Sequence, residues 1–324
     1  GVRLVDYLRP RVFGPLGIGH VGWWQLRPGI DLGFSGVYTN LDAIARLGQL
    51  YLDDGVWNGT RLLPEGFVAE ASRVQIPNPM REEPDWQQGY GYQFWRCRHN
   101  AYRGDGAFGQ YCIVMPEKDA VLAITSESPD MQVVLDRVWA HLLPALEDDG
   151  EEAPGTGAAL LAETLSCLRL ETRASQAAPS ESLLEWRQRF ALEPNQTGLR
   201  SIQLDVDDRG YRLRVRDEHE EHVVRCGLGE WIANESRMPL LLPTMMQLGH
   251  FGTFETPIAL AASAAWTAAD TLTLTWQYLE TPHRLTVTCR FSAEGLTMDL
   301  DHSVLDPNSP FAAAREVRFK GRPA

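Results

Sequence analysis

Apolar residues in the first 146 positions recur at spacings that predict a mixture of helices and strands. An apolar stripe follows Thr39, which we expect to cap a helix that ends at Gly55. Three runs rich in β-branched and aromatic residues predict strands, and a hairpin turn joins the last two. The predicted helices cover residues 2–13, 39–54, 64–71 and 128–143, and the predicted strands cover residues 90–97, 111–115 and 120–125.

The second half of the chain changes to an alternating pattern. After residue 198, apolar and polar residues alternate through short segments separated by turns, which predicts an all-β antiparallel barrel or sandwich. Two helical segments, residues 160–170 and 182–192, precede these strands. Residues 147–157 are acidic and rich in Gly and Pro, so we predict a linker there. The predicted domains are therefore residues 1–146 and residues 158–324, the second being β-rich with leading helices.

Composition and charge exclude several kinds of partner. The 324 residues are 44% hydrophobic and carry a net charge of −13, which argues against a nucleic acid or an anionic membrane as partner. No apolar run reaches the ~18 residues of a membrane span. The five cysteines are scattered and form no CxxC pair, so we expect free thiols and a cytoplasmic location. Because the sequence does not begin with Met, we expect a missing N-terminal part, which could carry a targeting signal.

Two motifs suggest a cofactor site or a metal site, but the residues around them do not fit either kind of site. Residues 104–109 match GxGxxG, but a β-rich segment follows them where a dinucleotide site needs a helix. His219 and His222 lie among acidic residues, but their spacing matches neither HExxH nor HxxEH, and a solvated hairpin tip is the better interpretation. We therefore expect neither a cofactor nor a metal.

The search for a nucleophile is negative. No GxSxG elbow occurs in the sequence. The two lysines are Lys118 and Lys320, and neither has a serine three positions earlier. A serine hydroxyl needs an adjacent base to act as a nucleophile, so this chain cannot supply a Ser–Lys pair on one helical turn.

Four segments, taken in order, resemble the β-lactamase-related serine hydrolases, a family that includes class C β-lactamases, penicillin-binding DD-peptidases and family VIII esterases. The segments read DYL and VFGPLGI within residues 6–18, GFSGVYTNLD at 33–42, LDDGVWNGTRLL at 52–63, and GYGY and GDGAFGQ within 89–110. For residues 1–146 the resemblance implies the C-terminal half of an α/β (α+β) domain, with an antiparallel sheet and flanking helices. Residues 158–324 resemble only loosely the β-rich extensions of some members.

The resemblance also implies which residues form the site. In the family, the serine of SxxK attacks a carbonyl carbon, and a YxN triplet helps to move protons. Both motifs precede the DYL segment, so we expect them before Gly1 and expect this chain alone to be inactive. Gly104, Asp105 and Gly106 stand where the family has KTG or HxG on an edge strand. The backbone amide of Ala107 would then be one donor of an oxyanion hole.

This third motif departs from the family pattern. Gly104 offers no cation where the family has Lys or His, and Asp105 would repel a carboxylate. We therefore expect a small-molecule ester or amide substrate that is neutral or cationic, rather than a β-lactam. Two alternatives stay open: Gly104-Asp105-Gly106 is only a turn into a strand, or the protein is a non-catalytic relative whose pocket or barrel binds a ligand.

Overall fold

The computed structural model describes residues 1–146, 156–180, 189–195, 198–237, 257–303 and 316–323. The chain divides into two compact units, Gly1–Cys167 and Leu168–Ala324. This division falls beyond the predicted linker at residues 147–157, most of which lies outside the described residues. The helix Thr156–Cys167, which we assigned in part to the second domain, belongs to the first unit.

The first unit contains six helices and ten short strands among its described residues. The helices are α1 Leu4–Leu8, α2 Leu41–Leu52, α3 Phe67–Ser72, α4 Met131–Arg137, α5 Leu143–Ala145 and α6 Thr156–Cys167, with π-helical turns at Arg9–Phe13 and Val138–Leu142. The strands are β1 Gly22–Trp23, β2 Gln25–Arg27, β3 Ile30–Asp31, β4 Val37–Tyr38, β5 Val56–Trp57, β6 Thr60–Arg61, β7 Trp95–Arg96, β8 Tyr102–Gly106, β9 Gln110–Met115 and β10 Ala120–Ile124. None of the helices within the described residues is long and apolar enough to cross a membrane.

A four-stranded antiparallel sheet in the order β10-β9-β8-β7 forms the centre of this unit. Successive side chains of a strand point to opposite faces, and both faces of β9 are buried. Tyr111 and Ile113 pack against Leu135 of α4 on one face. Val114 packs with Tyr102 on the other face. The antiparallel sheet with flanking helices agrees with the expected secondary structure of residues 1–146.

Helix α2 lies against this sheet and begins at a different cap from the one predicted. The side chain of Asn40, not Thr39, accepts the hydrogen bond from the Ala43 N–H at 2.9 Å. The Thr39 hydroxyl instead donates to the carbonyl of His20. Gly48 allows the helix to approach the sheet closely, because a Cβ there would lie 2.5 Å from Cγ1 of Val121.

The predicted strand at residues 90–97 was too long, since only β7 is a regular strand. Gly89 and Gln93 have positive φ angles of 99° and 61°, which interrupt an extended backbone. Tyr90 consequently folds back to form an isolated bridge with Trp95. Aromatic content alone does not reveal this reversal of the chain.

The second unit is a closed antiparallel barrel. Its strands are β11 Arg189–Leu192, β12 Ser201–Asp207, β13 Gly210–Arg216, β14 Glu221–Leu228, β15 Ile232–Ser236, β16 Ile258–Ala268, β17 Thr271–Tyr278, β18 Arg284–Ser292, β19 Gly295–His302 and β20 Glu316–Pro323. They form one sheet in the order β14-β13-β12-β11-β20-β19-β18-β17-β16-β15. A parallel pairing of β14 with β16, at Gly227 with Ser263, closes a ring of nine strands. Of the two predicted forms, the barrel is the one that the structure adopts.

Alternation of residues builds the barrel interior. Inward residues such as Leu274, Trp276 and Val287 are buried in a single apolar cluster, as the period of two predicted. Outward positions carry cross-strand ion pairs, of which Arg214 with Asp205 at 2.7 Å is one. The prediction of a helix over residues 182–192 is wrong for its last four residues, because Arg189–Leu192 is strand β11. Residues 182–188 lie outside the described residues.

Candidate functional site

The predicted third motif lies at the end of β8, along an edge of the sheet. Gly104, Asp105 and Gly106 pair with β9, with Gly104 opposite Cys112. On the other side, β7 reaches only as far as the pairing of Trp95 with Arg103. No strand in the described part of the chain therefore covers the second edge of residues 104–106.

The turn that follows this strand has a fixed backbone. Residues 107–109 connect β8 to β9, and Phe108 and Gly109 adopt positive φ angles of 66° and 84°. The Ser126 hydroxyl hydrogen-bonds to the carbonyl oxygens of both, at 2.8 Å each. The Ser128 N–H donates a second hydrogen bond to the Phe108 carbonyl at 2.9 Å. Ala107, which we predicted on the strand, lies one position beyond it, in the exposed part of this turn.

Asp105 is directed away from the face on which Gly104 lies, because adjacent strand residues point to opposite faces. Its Oδ2 lies 3.1 Å from Nη2 of Arg103, and both side chains are largely buried. Burial raises the pKa of Asp105, and the Arg103 charge offsets part of that rise. The expectation that Asp105 would repel a substrate carboxylate is therefore wrong, since its charge is compensated by an internal partner.

Arg103 is the residue near this site that sequence reasoning missed. It is fully buried, and its guanidinium stacks 4.2 Å from the ring of Trp86. Its Nη1 donates to the Asp85 carbonyl at 3.0 Å and contacts the Cys97 sulfur at 3.1 Å. The signal was present in the sequence as Arg103-x-Asp105, because residues two apart on a strand share a face.

Asp85 connects the sheet to α4 behind the site. Its carboxylate, which is fully buried, accepts hydrogen bonds from the Arg98 N–H at 2.9 Å, Gln132 Nε2 at 2.7 Å and Trp139 Nε1 at 3.1 Å. Burial acts to raise the pKa of Asp85, but these donors and the Arg98 guanidinium outweigh it and hold the pKa below its ordinary value. The far side of the candidate site is therefore held by a buried ionic network.

A cleft of about 290 Å³ lies on the Gly104 face of the sheet, beside α2. A Cβ on Gly48 would come within 2.9 Å of the Cys112 sulfur, so the helix touches β9 directly. A Cβ on Gly104 would meet only Cε1 of Phe94, at 3.9 Å, so space is left over β8. The cleft is lined by Leu47, Gly48, Tyr51, Tyr92, Gln93, Phe94, Gly104 and Cys112.

The thiols near the site are poor nucleophiles. Burial raises the pKa of Cys112 to about 12 and that of Cys97 to about 11. The thiolate is the reactive form of cysteine, so neither residue supplies an attacking group near neutral pH.

One Tyr-x-Asn triplet does occur in the chain, although the family's YxN is expected before Gly1. It is Tyr38-Thr39-Asn40. Asn40 is occupied as the cap of α2, and the ring of Tyr38 packs 5.5 Å from that of Trp24. The triplet therefore lies at a strand-to-helix connection, within the GFSGVYTNLD segment and not in the position that the family order implies for YxN.

The motifs rejected from the sequence have structural roles. Residues 104–109 form part of a β-hairpin, not a strand followed by a helix. His222 lies in β14 and shares a 2.9 Å hydrogen bond with Asp217, while His219 lies in the tip between β13 and β14. Over the described residues, no group of three or more His, Cys, Asp or Glu side chains is arranged to hold a metal ion.

No protein-family model matches the sequence, and no curated protein matches it. Among solved structures, a protein from Bacillus anthracis assigned as a 6-aminohexanoate-dimer hydrolase is 21% identical with a TM-score of 0.37, over 44% of this chain and 38% of its own. An octameric penicillin-binding protein homologue from Pyrococcus abyssi is 12% identical with a TM-score of 0.31, over 97% of this chain and 59% of its own. This chain thus spans less than two thirds of either structure. This chain is similar to both at low identity.

Proposed function

We propose that residues 1–146 form one wall of the acyl-transfer site of a serine hydrolase that cleaves a small-molecule ester or amide. The observation that carries this proposal is the uncovered edge of Gly104, Asp105 and Gly106, which lies beside a cleft and leads into the fixed turn at Ala107. The ordered sequence segments that resemble the family support the same assignment.

An uncovered strand edge is suited to hold an extended substrate. Alternate N–H and C=O groups of such an edge point outward and can pair with the backbone of a ligand. Gly104 and Gly106 present no side chain there, so a substrate can approach the strand closely.

The Ala107 amide would stabilise the oxyanion. When a nucleophile adds to the substrate carbonyl, negative charge develops on the carbonyl oxygen, and a fixed N–H donor lowers the energy of that state by about 3–4 kcal/mol. The hydrogen bonds from Ser126 and Ser128 fix the turn before the substrate arrives. Such a donor stabilises the transition state without reorganisation, which is the requirement for electrostatic catalysis.

The attacking group would be the serine of an SxxK motif, as the resemblance to the family implies. Its Oγ would bond to the carbonyl carbon, its proton would pass through a base to the leaving alcohol or amine, and water would then release the acid. These 324 residues hold no Ser-x-x-Lys, so the proposal requires a serine from chain outside them.

Trapping of the acyl-enzyme tests this function. The full-length protein is mixed with 4-nitrophenyl butyrate, quenched with acid and analysed by intact-mass and peptide mass spectrometry. We expect a butyryl adduct on one serine that is followed three residues later by a lysine. Steady turnover of nitrocefin at a comparable rate would contradict the preference for esters and amides over β-lactams.

A non-catalytic relative is the alternative. It predicts that no adduct forms, that no ester is turned over, and that no SxxK is encoded upstream of Gly1. The same mass-spectrometric experiment, together with the sequence of the intact gene, therefore separates the two functions.

A further inference from the structure

The cleft above Gly104 presents no charged group to a ligand. The eight residues that line it include no Asp, Glu, Lys, Arg or His. Its titratable groups are uncharged near neutral pH. Burial raises the pKa of Tyr51 and that of Cys112 to about 12, and the hydrogen bond to Glu70 raises the pKa of Tyr92. A charged ligand group that entered this cleft would lose its hydration and gain no partner of opposite charge.

Aromatic rings make up much of the cleft wall. The ring of Phe94 packs against Tyr51, with centroids 4.6 Å apart, and against Tyr102 at 5.6 Å. Phe94 is buried beneath the cleft, whereas Tyr92 is about half exposed at its rim (49%). Rings arranged in this way offer faces and edges to an aromatic or aliphatic group.

The volume of the cleft limits the size of that group. A dry, apolar cavity of about 150 Å³ is sufficient to bind benzene. The cleft holds about 290 Å³ and is partly open to solvent. It therefore has room for a substituted benzene ring or for an alkyl chain of comparable volume.

Two carboxylates near the cleft, those of Glu70 and Asp105, are each paired with an arginine. Glu70 accepts a hydrogen bond from the hydroxyl of Tyr92 at the rim, at 3.1 Å, and it pairs with Arg73 at 2.7 Å. Asp105 points to the opposite face of the sheet, where Arg103 pairs with it at 3.1 Å. A cationic substrate group would therefore find no unpaired carboxylate among the residues that line the cleft. The sequence predicted a neutral or a cationic substrate, and the lining of the cleft favours the neutral one.

We propose that the cleft over Gly104 binds an uncharged aryl or alkyl group of the substrate, so that the enzyme acts on esters or amides of hydrophobic, neutral compounds. This specificity rests on the proposed function, because the cleft borders the strand edge on which the scissile carbonyl would lie. The binding step itself requires no nucleophile and can be measured separately from hydrolysis.

Ketones test the binding step, because they cannot be hydrolysed. 4-Methylacetophenone, 4-acetylbenzoate and 4-(aminomethyl)acetophenone have nearly the same shape and are neutral, anionic and cationic at pH 7.5. We expect the neutral ketone to bind the full-length protein with a Kd on the order of 1 mM, by titration NMR. We expect the two charged ketones to bind at least tenfold more weakly. Equal binding of either charged ketone would overturn the proposal.

A variant whose new side chain fills the cleft provides a second test of ligand binding. Gly104→Leu places a side chain where the Cβ makes only ordinary contact, so the strand should form and the cleft should be occupied. Gly19→Leu is the matched control, because no atom lies within 4 Å of the Cβ position there. We expect Gly104→Leu to weaken binding of 4-methylacetophenone at least tenfold and Gly19→Leu to leave it unchanged, with thermal unfolding showing that both variants fold.

The outcomes distinguish this proposal from the function on which it rests. Retained binding in Gly104→Leu would place the ketone elsewhere and would contradict the cleft. Binding that follows the expected pattern without any ester turnover would support the cleft and contradict the hydrolase. Ester turnover without ketone binding would support the hydrolase and contradict the cleft.

Discussion

The two units of the chain bury their interiors in different ways. The barrel encloses one continuous apolar cluster, and the arginine–carboxylate pairs of its described strands, such as Arg214 with Asp205, lie on outward positions. The first unit has three smaller apolar clusters and, behind its candidate site, a buried network in which Asp85 and Arg103 are fully buried. Apolar packing tolerates small adjustments, whereas a buried ionic network is stable only if each partner is in place. The candidate site is thus supported by a buried ionic network, which depends more strongly on each of its residues than apolar packing does.

The largest effect should come from the centre of the barrel. Trp276 is fully buried, so Trp276→Ala should destabilise the protein by about 3–5 kcal/mol through lost packing and a cavity. Urea unfolding monitored by hydrogen exchange should show the loss in the barrel strands and not in β8–β10. The outward neighbour Thr275 is the control, and Thr275→Ala should change stability by less than about 1 kcal/mol. Equal effects of the two variants would contradict the inward placement of Trp276.

The next effect concerns the ionic network of the first unit. Asp85→Ala removes the acceptor of Arg98, Gln132 and Trp139, and it should cost about 2–3 kcal/mol. This lies below the usual range for a buried pair because the Arg98 side chain, 35% exposed, can turn to water. Asp136→Ala removes the exposed partner of Arg98 and should cost less than about 1 kcal/mol. Hydrogen exchange over β8 and β9 separates the two variants, and unchanged exchange in Asp85→Ala would rule out the network as a support.

A pH titration should distinguish the two cores. Burial lowers the pKa of His302 in the barrel to about 4. Unfolded histidine takes up a proton near its ordinary pKa, and the folded group does not, so stability is lost as the pH falls from about 6.5 toward 4. Between pH 7.5 and pH 5 the loss should be roughly 2 kcal/mol, confined to the barrel. His302→Gln should remove most of it, and an unaltered pH dependence in that variant would contradict the assignment.

The smallest of these effects tests the contact between α2 and the sheet. A Cβ on Gly48 would lie 2.5 Å from Cγ1 of Val121, so Gly48→Ala should cost about 1–2 kcal/mol even though alanine favours the helix. Adding Val121→Ala should restore part of the stability by removing the clash. A stabilised Gly48→Ala protein, measured by urea unfolding, would show that the helix lies further from the sheet.

The barrel was the part of the fold that the sequence predicted best. Its strands bury one face and expose the other, so residues such as Leu272, Leu274 and Trp276 leave an unambiguous period of two. Closure was not predictable, because it depends on the pairing of β14 with β16 across a long stretch of chain. The segment that contains Phe190 and Leu192 is too short for its period to distinguish a helix from a strand, which explains the error there.

The candidate site was predicted only as a stretch of strand. The sequence placed Gly104 and Gly106 on an edge by resemblance. The spacing of Arg103 and Asp105 places both side chains on one face of the strand. It could not reveal that this face is buried, because the stacking of Arg103 on Trp86 depends on how the sheet packs. The cleft likewise depends on how closely α2 approaches β9, which a single sequence does not specify.

Substitution of Ala107 tests most directly whether its backbone amide is a donor of an oxyanion hole. Ala107→Pro removes this N–H donor, and Ala107→Gly retains the donor while removing only a methyl group. For the full-length protein acting on 4-nitrophenyl butyrate, we predict that Ala107→Pro lowers kcat by about 100- to 1,000-fold and that Ala107→Gly lowers it by less than about threefold. Circular dichroism should show both variants folded. Equal rates in the two variants would contradict an acyl-transfer site at this strand edge.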